Sequence, residues 1–324
     1  MNLLITGGTG FFGRALLTHL AALRHAPQGL PYSQVTVLSR DPDTFLKRYP
    51  QFADPSWLVF VRGDICNAES LSTVNRFGPF SAILHAAADS TDAAQLSPLQ
   101  RLDQILTGTR NVLDVALAHQ GARFLFVSSG GVYGPQPADI SHLEESYLGV
   151  PDPLQVGSTY GLAKRMSEHL CALYADAHGL EAVVARCFAF VGKDLPLNAH
   201  FAIGNFIGDA LTKPQIEVQG NGSPLRSYMC QTDLAHWLMV LLQHGRKGEA
   251  YNVGSDQAIS IGDLAKLVAT VVSPGKPVVI RGAPAADNVQ RNRYVPSTAK
   301  AQKELGLSLS VSLHDAVRRA AESR

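Results

Sequence analysis

A short apolar stretch, Leu3-Leu4-Ile5, runs directly into Thr6-Gly7-Gly8-Thr9-Gly10-Phe11-Phe12-Gly13, and the apolar rhythm of a helix follows at once. No other feature constrains the chain as much. Glycines at 7, 10 and 13 allow a tight turn, a close approach of backbone to a ligand, and close packing of helix on strand. A helix that begins at such a turn offers unpaired N–H groups and the positive end of its dipole to a phosphate. Taken alone, a Gly-rich triplet is also compatible with a purely structural turn. At the first strand–helix junction it predicts dinucleotide binding, with Gly7, Thr9, Gly10, Phe11, Phe12 and Gly13 around the cofactor.

The first half of the chain keeps this rhythm. Short apolar segments at 3–6, 35–39, 58–62, 82–85, 123–128 and 182–187 read as strands buried on both faces, and helical stretches at 13–23, 67–77, 99–119 and 159–178 alternate with them. Such alternation builds an α/β fold, a Rossmann-type doubly wound parallel sheet. After about residue 186 the pattern changes. A loop at 192–201, helices at 203–212, 233–243, 261–272, 298–305 and 314–321, a strand at 216–219 and a Pro/Gly-rich stretch at 273–284 read as a smaller lobe. The expected division is a cofactor domain over 1–186, with 232–256 returning to it. A discontinuous substrate lobe takes 187–231 and 257–324.

Charge narrows the partners. The formal net charge is +1 without a basic stripe, which argues against nucleic acid or an anionic membrane, since both need a clustered positive field. A small anionic ligand needs only a few placed groups. The longest apolar run, 234–242, is too short to span a bilayer and contains His236. Met1 leads straight into a strand with no basic n-region, unlike a signal peptide. Cys66, Cys171, Cys187 and Cys230 lack metal-type spacing. The expectation is a soluble cytoplasmic protein with reduced thiols and no metal.

The second strand ends in Ser39-Arg40. An acidic residue at that position favours NAD, whereas Arg40 can pair with the 2′-phosphate of NADP, so NADP is the preferred cofactor and NAD the alternative. Arg40-Asp41-Pro42 also reads as a charged surface turn. Asp64, next to Ile65, is placed either to accept a bond from the adenine or to cap the helix near Asn67. His85 precedes Ala86, Ala87 and Ala88, whose small side chains leave room for the cofactor's diphosphate and ribose; a lone His there is more often structural.

Tyr160 and Lys164 lie four residues apart in a helical segment and so share a face. A phenol with its ordinary pKa of about 10 is a poor base at neutral pH. A neighbouring ammonium and a nicotinamide cation favour the phenolate. The fifth strand ends in Ser128-Ser129-Gly130-Gly131, where a hydroxyl faces the ligand crevice. Satisfying backbone groups in a turn is the other role open to these serines.

With TGGTGFFG, RGDI, HAAA, SSGGVYG, YGLAK followed by Glu168, RSYMCQTDLA and YNVGS in order over almost the whole chain, the sequence resembles extended short-chain dehydrogenase/reductases of the NAD-dependent epimerase/dehydratase family, which modify nucleotide sugars. The resemblance implies Ser129 as the catalytic hydroxyl beside Tyr160 and Lys164. It further implies Ser128, Tyr160, Lys164 and Phe188 around the cofactor. A nucleotide-diphosphate sugar would lie against Ser129, Ala189 and Arg293, with Arg226 on the diphosphate. Asn198, His200, Phe201 and Asn205 are candidate replacement sugar contacts. A homodimer is expected through the helices 99–119 and 159–178; Val112, Val115 and Ala116 suit either that interface or an internal core.

Departures from the family pattern narrow the reaction. The 4,6-dehydratases carry an acid pair, or at least a Glu, in the two positions after the catalytic hydroxyl; here these are Gly130 and Gly131. Galactose-epimerase-like members carry Asn where Ala189 and Ile105 stand. The expected activity is a 4-keto-sugar reductase, with a 4-epimerase as the alternative. A cofactor-sensing protein without chemistry is the remote third reading, although such a sensor needs neither Tyr160 nor Lys164.

Overall fold

In the computed structural model, residues 1–27, 29–88, 96–197, 199, 201–283 and 292–323 are described. The strands are β1 (Asn2–Thr6), β2 (Gln34–Ser39), β3 (Leu58–Arg62), β4 (Phe80–His85), β5 (Arg123–Ser129), β6 (Glu181–Cys187), β7 (Phe190–Val191), β8 (Ile216–Val218), β9 (Leu225–Arg226), β10 (Met229–Cys230), β11 (Ala250–Val253), β12 (Ile259–Ser260), β13 (Val278–Ile280) and β14 (Arg293–Tyr294). The helices are α1 (Phe11–Arg24), α2 (Pro42–Arg48), α3 (Ala68–Ser72), α4 (Pro98–Ala118), α5 (Thr159–His178), α6 (Ala202–Thr212), α7 (Gln231–His244), α8 (Ile261–Val272), α9 (Ala299–Leu305) and α10 (Leu313–Glu322).

Among the described residues, seven strands form the main sheet in the order β11-β6-β5-β4-β1-β2-β3. Its pairs β3–β2, β2–β1, β1–β4 and β4–β5 are parallel. Leu3, Leu4 and Ile5 of β1 are all fully buried, as a strand covered on both faces requires. The chain leaves β1 towards β2 on one side and returns through β4 on the other. That reversal opens a crevice at the carboxyl ends of β1 and β4, where ligands bind in open α/β sheets. Phe124 and Phe126 of β5 pack with Val112, Leu113, Val115 and Ala116 of α4 in one buried cluster. The three α4 residues that suited two roles are therefore internal core.

Two compact units emerge from the contacts. The first comprises Met1–Gly134, Val150–Arg186 and Ala235–Tyr251; the second comprises Pro135–Gly149, Cys187–Leu234 and Asn252–Arg324. The expected run of 1–186 is thus interrupted. Within the second unit, Leu143 donates its N–H to Val295 O (2.9 Å), Ser297 N–H donates to Leu143 O (2.7 Å), and Gln136 Oε1 accepts from Val295 N–H (2.9 Å). Pairing across such a separation leaves no local periodicity to read. The second unit also holds a small β12-β9-β14 sheet and the pairs β10–β7 and β13–β8. β8 reads as a strand from sequence, whereas β13 lies inside the stretch that reads only as a Pro/Gly-rich break.

Candidate active site

The turn after β1 closes through Gly10 N–H to Gly7 O (3.2 Å). Gly7 has φ +77°, and a Cβ there would stand 2.6 Å from the Ala86 carbonyl carbon. A Cβ on Gly13 would stand 2.1 Å from Gly8. Gly10 differs: its Cβ would meet nothing closer than Gly7 O at 3.6 Å. So glycines 7 and 13 are required by packing, and Gly10 keeps open the space in front of α1. Gly10 also caps α1 without a side-chain bond, and the first turn holds no acid. By contrast α2, α3, α4, α8 and α10 are capped by Asp41, Asn67, Ser97, Ser260 and Ser312. Uncapped donors at a dipole's positive end suit a diphosphate. Thr9 and Phe12 in the same turn are half-buried, and Phe11 is buried.

At the end of β2, Ser39 is buried and its Oγ accepts from Asp41 N–H (3.3 Å). The segment that read as a charged turn starts α2: Asp41 accepts from Thr44 N–H (3.3 Å), with Pro42 in the first turn. Asp41 is therefore engaged as a cap, and Arg40 is exposed beside it. Arg62 donates to Arg40 O (3.0 Å) and to Asp43 (2.7 Å). After β3, Asn67 caps α3 by accepting from Ser70 N–H (2.9 Å). That capping role, one of two open to Asp64, goes to its neighbour; Asp64 Oδ1 accepts from Cys66 N–H (2.9 Å). Ile65 is fastened to α4, its carbonyl accepting from Asn111 (2.7 Å) and its side chain lying where a Cβ on Gly108 would sit.

After β4, Ala86 donates its N–H to Thr6 O (3.1 Å), and Ala86, Ala87 and Ala88 are half-buried. His85 is buried between Thr6 Oγ1 (2.7 Å) and Thr109 Oγ1 (3.2 Å). Thr109 already donates its proton to Ile105 O (2.7 Å). Its oxygen must therefore accept from His85 Nε2–H, leaving Nδ1 to accept from Thr6. Burial, helped by the nearby Lys164 charge, lowers the His85 pKa to about 3. It is a neutral structural link between β1, β4 and α4.

The end of β5 separates two serines that sequence alone left together. Alternation along the strand sends Ser128 and Ser129 to opposite faces. Ser128 Oγ donates to Glu168 Oε1 (2.5 Å), whereas Ser129 Oγ accepts from Gly131 N–H (3.1 Å) at the start of a 3-10 turn, Gly130–Tyr133. A Cβ at 131 would point at Ser129 Oγ (3.3 Å) and at Gly161 Cα (3.7 Å). That position adjoins the hydroxyl, and it holds no titratable group. Gly161 is needed because a Cβ there would stand 2.5 Å from Gly131 O, so the residue after Tyr160 rests on the turn that follows Ser129. Lys164, buried in α5, donates Nζ to Val127 O (2.8 Å) and lies 6.0 Å from the Tyr160 ring centroid.

One cluster escaped the sequence reading. Arg186 donates from Nη2 to Glu168 Oε2 (2.8 Å) and from Nη1 to the Tyr133 hydroxyl (3.0 Å). Burial opposes the Arg186 charge, but Glu168 and Tyr133 outweigh it and hold the guanidinium above its usual pKa. The available signal was Glu168, one helical turn after Lys164.

In the second unit, Phe188 packs against Tyr294 with ring centroids 4.7 Å apart. Tyr294 is the register partner of Arg226, and Arg293 that of Leu225. Arg226 donates to Leu225 O (2.8 Å) and Asn292 O (3.3 Å), and Arg293 to Ser141 O (3.5 Å). Among the described residues neither forms an ion pair with a carboxylate. Burial lowers the Arg226 pKa, Tyr228 and Tyr294 opposing it, and burial pushes the Tyr228 phenol up to about 12. Phe201 and Asn205 are one turn apart at the start of α6, joined by Asn205 N–H to Phe201 O (3.0 Å). Ala189 O accepts from Met229 N–H (3.0 Å). Asn198 and His200 lie outside the described residues.

Residues 3–254 match the model of the NAD dependent epimerase/dehydratase family. The chain is 30% identical over 315 residues to a dTDP-glucose 4,6-dehydratase of Streptomyces antibioticus, covering 94% of this chain and 87% of that one. Among solved structures it is similar to a double mutant of DesIV, a dTDP-glucose 4,6-dehydratase from Streptomyces venezuelae with NAD bound (TM-score 0.82, 27% identity, covering 100% and 96%). A UDP-glucose 4-epimerase from Thermotoga maritima shares the fold, with TM-score 0.82, 22% identity and coverage of 100% and 98%.

Proposed function

The chain belongs to the NAD dependent epimerase/dehydratase family, and from that premise we propose that it is a nicotinamide-dependent oxidoreductase acting at C4 of a nucleotide-diphosphate sugar, working as a 4-keto-sugar reductase. The observation that carries this reading is the junction of β5 and α5. Ser129, Tyr160 and Lys164 supply a hydroxyl, a phenol and an ammonium, while the two positions after Ser129 supply no acid. Dehydration across C5 and C6 needs an acid and a base beyond those that serve C4. Its relatives' dehydratase chemistry therefore does not transfer to these residues.

The uncapped start of α1, with Gly7 and Gly13 packed tightly and Gly10 open, fits a dinucleotide diphosphate. A bound nicotinamide supplies the hydride. Tyr160 donates its proton to the C4 oxygen, and the Lys164 ammonium stabilises the phenolate left behind. Ser129 hydrogen-bonds the same oxygen. In the second unit, Arg226 and Arg293 are the groups for the diphosphate, since among the described residues they bring charge without an internal carboxylate. Arg40, with Asp41 engaged as a cap, favours NADP.

One observation favours the 4-epimerase instead. Asp43 and Asp41 stand 2.7 and 3.7 Å from Arg62, partly answering the positive charge beside Arg40, which suits NAD. A panel of UDP-, dTDP-, GDP- and CDP-linked sugars, both 4-keto-6-deoxy and parent, separates the two. The reductase consumes NADPH stoichiometrically on a keto-sugar. C4 epimerisation of a parent sugar by protein that purifies with NAD, with every keto-sugar untouched, would overturn it.

A further inference from the structure

Ser129 is followed by two glycines, and neither has a positive φ. No left-handed backbone therefore calls for glycine here. Each one instead adds freedom that must be lost when the turn orders. A hydroxyl that shares an oxygen with Tyr160 must nevertheless be held to a fraction of an ångström. The residues that carry the chemistry do not explain how.

One ion pair reaches both ends of the turn. Glu168 and Arg186 are joined by bonds from Nε (3.1 and 3.2 Å) and Nη2 (2.8 Å), and their side chains are only 12% and 17% exposed. Glu168 takes the hydroxyl of Ser128, the residue before Ser129. Arg186 gives Nη1 to the hydroxyl of Tyr133, the last residue of the 3-10 turn, and lies over its ring at 4.8 Å. Ser128 and Tyr133 are buried, so these bonds form where water does not compete. Glu168 stands one turn beyond Lys164 on α5. The helix that carries Tyr160 and Lys164 is thus the body to which the Ser129 turn is fastened.

We propose that the Glu168–Arg186 pair is a positioning clamp, gripping the diglycine turn through Ser128 and Tyr133 and so setting the Ser129 hydroxyl against Tyr160. It rests on the reading of Ser129 and Tyr160 given above. Glu168 and Arg186 act through other residues and touch no reacting atom. The clamp takes the place of the stiffness that side chains at 130 and 131 would give.

Removing either charge risks unfolding, because its partner would be left buried and alone. Ser128→Ala and Tyr133→Phe each delete one hydroxyl and keep the pair. They are compared in the full-length protein with Ser129→Ala and the double variants, using NADPH and whichever sugar nucleotide of the panel turns over fastest. Hydrogen exchange of the 130–134 amides is followed alongside, and needs no substrate. The clamp predicts that each variant lowers kcat about tenfold with KM and cofactor Kd within about twofold, and raises exchange in the turn. With Ser129→Ala already present, neither lowers kcat further, because the group being positioned is gone. Equal losses with and without Ser129 would show a merely structural role and overturn the clamp, as would unchanged kcat and exchange when Ser129→Ala is inactive. Full turnover by Ser129→Ala would overturn the clamp through its premise.

Discussion

A histidine in water is half charged near pH 6.5, and the fold removes that charge from His85. Burial keeps the ring neutral, and as the Nε2–H tautomer it donates to Thr109 and accepts from Thr6. With a folded pKa of about 3, the unfolded chain binds the extra proton first. The stability this site contributes is complete above pH 6.5 and is lost as pH falls towards 3, with a slope of up to about 1.4 kcal/mol per pH unit. His85→Gln replaces the ring with a group that does not titrate. Urea unfolding at pH 7 and pH 5 should show wild type losing on the order of 1–2 kcal/mol more than the variant over that interval. Equal losses would mean that another group titrates. At Tyr160 the consequence is chemical. Tyr160→Phe keeps the ring and deletes the proton, so turnover should fall by about 10²- to 10⁴-fold while NADPH binding, read by fluorescence, stays within about twofold. A variant that still did its cellular work would revive the cofactor-sensing reading. That Ser129 ends β5 and that Tyr160 and Lys164 share the start of α5 was legible, because motif and order specify those places. The direction of Ser128 was not, since two adjacent serines look alike until the strand's alternation and the partner Glu168 are seen.

Among the elements, the turn into α1 gives two glycines with opposite predicted behaviour. Gly13→Ala forces a methyl to within 2.1 Å of the Gly8 backbone, so it should lower the melting temperature of the cofactor-free protein, at a cost of about 1–3 kcal/mol. Gly10→Ala meets nothing closer than 3.6 Å and should leave that temperature within about 2 °C. Its methyl enters the space before α1, so the dinucleotide Kd should rise about tenfold or more. Scanning fluorimetry with and without NADPH separates the cases. If Gly10→Ala binds as wild type does, the diphosphate lies elsewhere. Strands β1 to β6 were readable as short continuous apolar runs between helical periods, whereas β11, also in the main sheet, was legible only as part of a stretch returning to the cofactor domain. α2 was missed although Asp41-Pro42 is a helix start, because a seven-residue helix offers too few turns for periodicity. β9, β12 and β14 are two-residue strands defined only by their partners. No local pattern encodes them.

For the whole molecule, the question left by α4 and α5 is which of their apolar residues face outwards. Val112, Val115 and Ala116 are at most 6% exposed and pack inside the chain, so they cannot hold a partner. Met166 and Leu173 of α5 are 52% and 49% exposed, and Leu99 in the first turn of α4 is 74% exposed. Met166 and Leu173 are seven residues apart and so share a helix face. If two copies meet through α4 and α5, a two-fold axis presents each side chain twice. Covering one such side chain contributes about 1.5–3 kcal/mol; half-exposed residues contribute less, but four of them together decide a dimer of ordinary strength. Met166→Glu with Leu173→Glu would place four carboxylates in that interface. Light scattering should find wild type at twice the chain mass and the double variant at the monomer mass at micromolar concentration, with an unchanged circular dichroism spectrum. Both residues lie on α5 beyond Tyr160, so a monomeric variant that still reduced the keto-sugar would show that the chemistry is complete within one chain. A double variant that stayed dimeric would move the contact to another face.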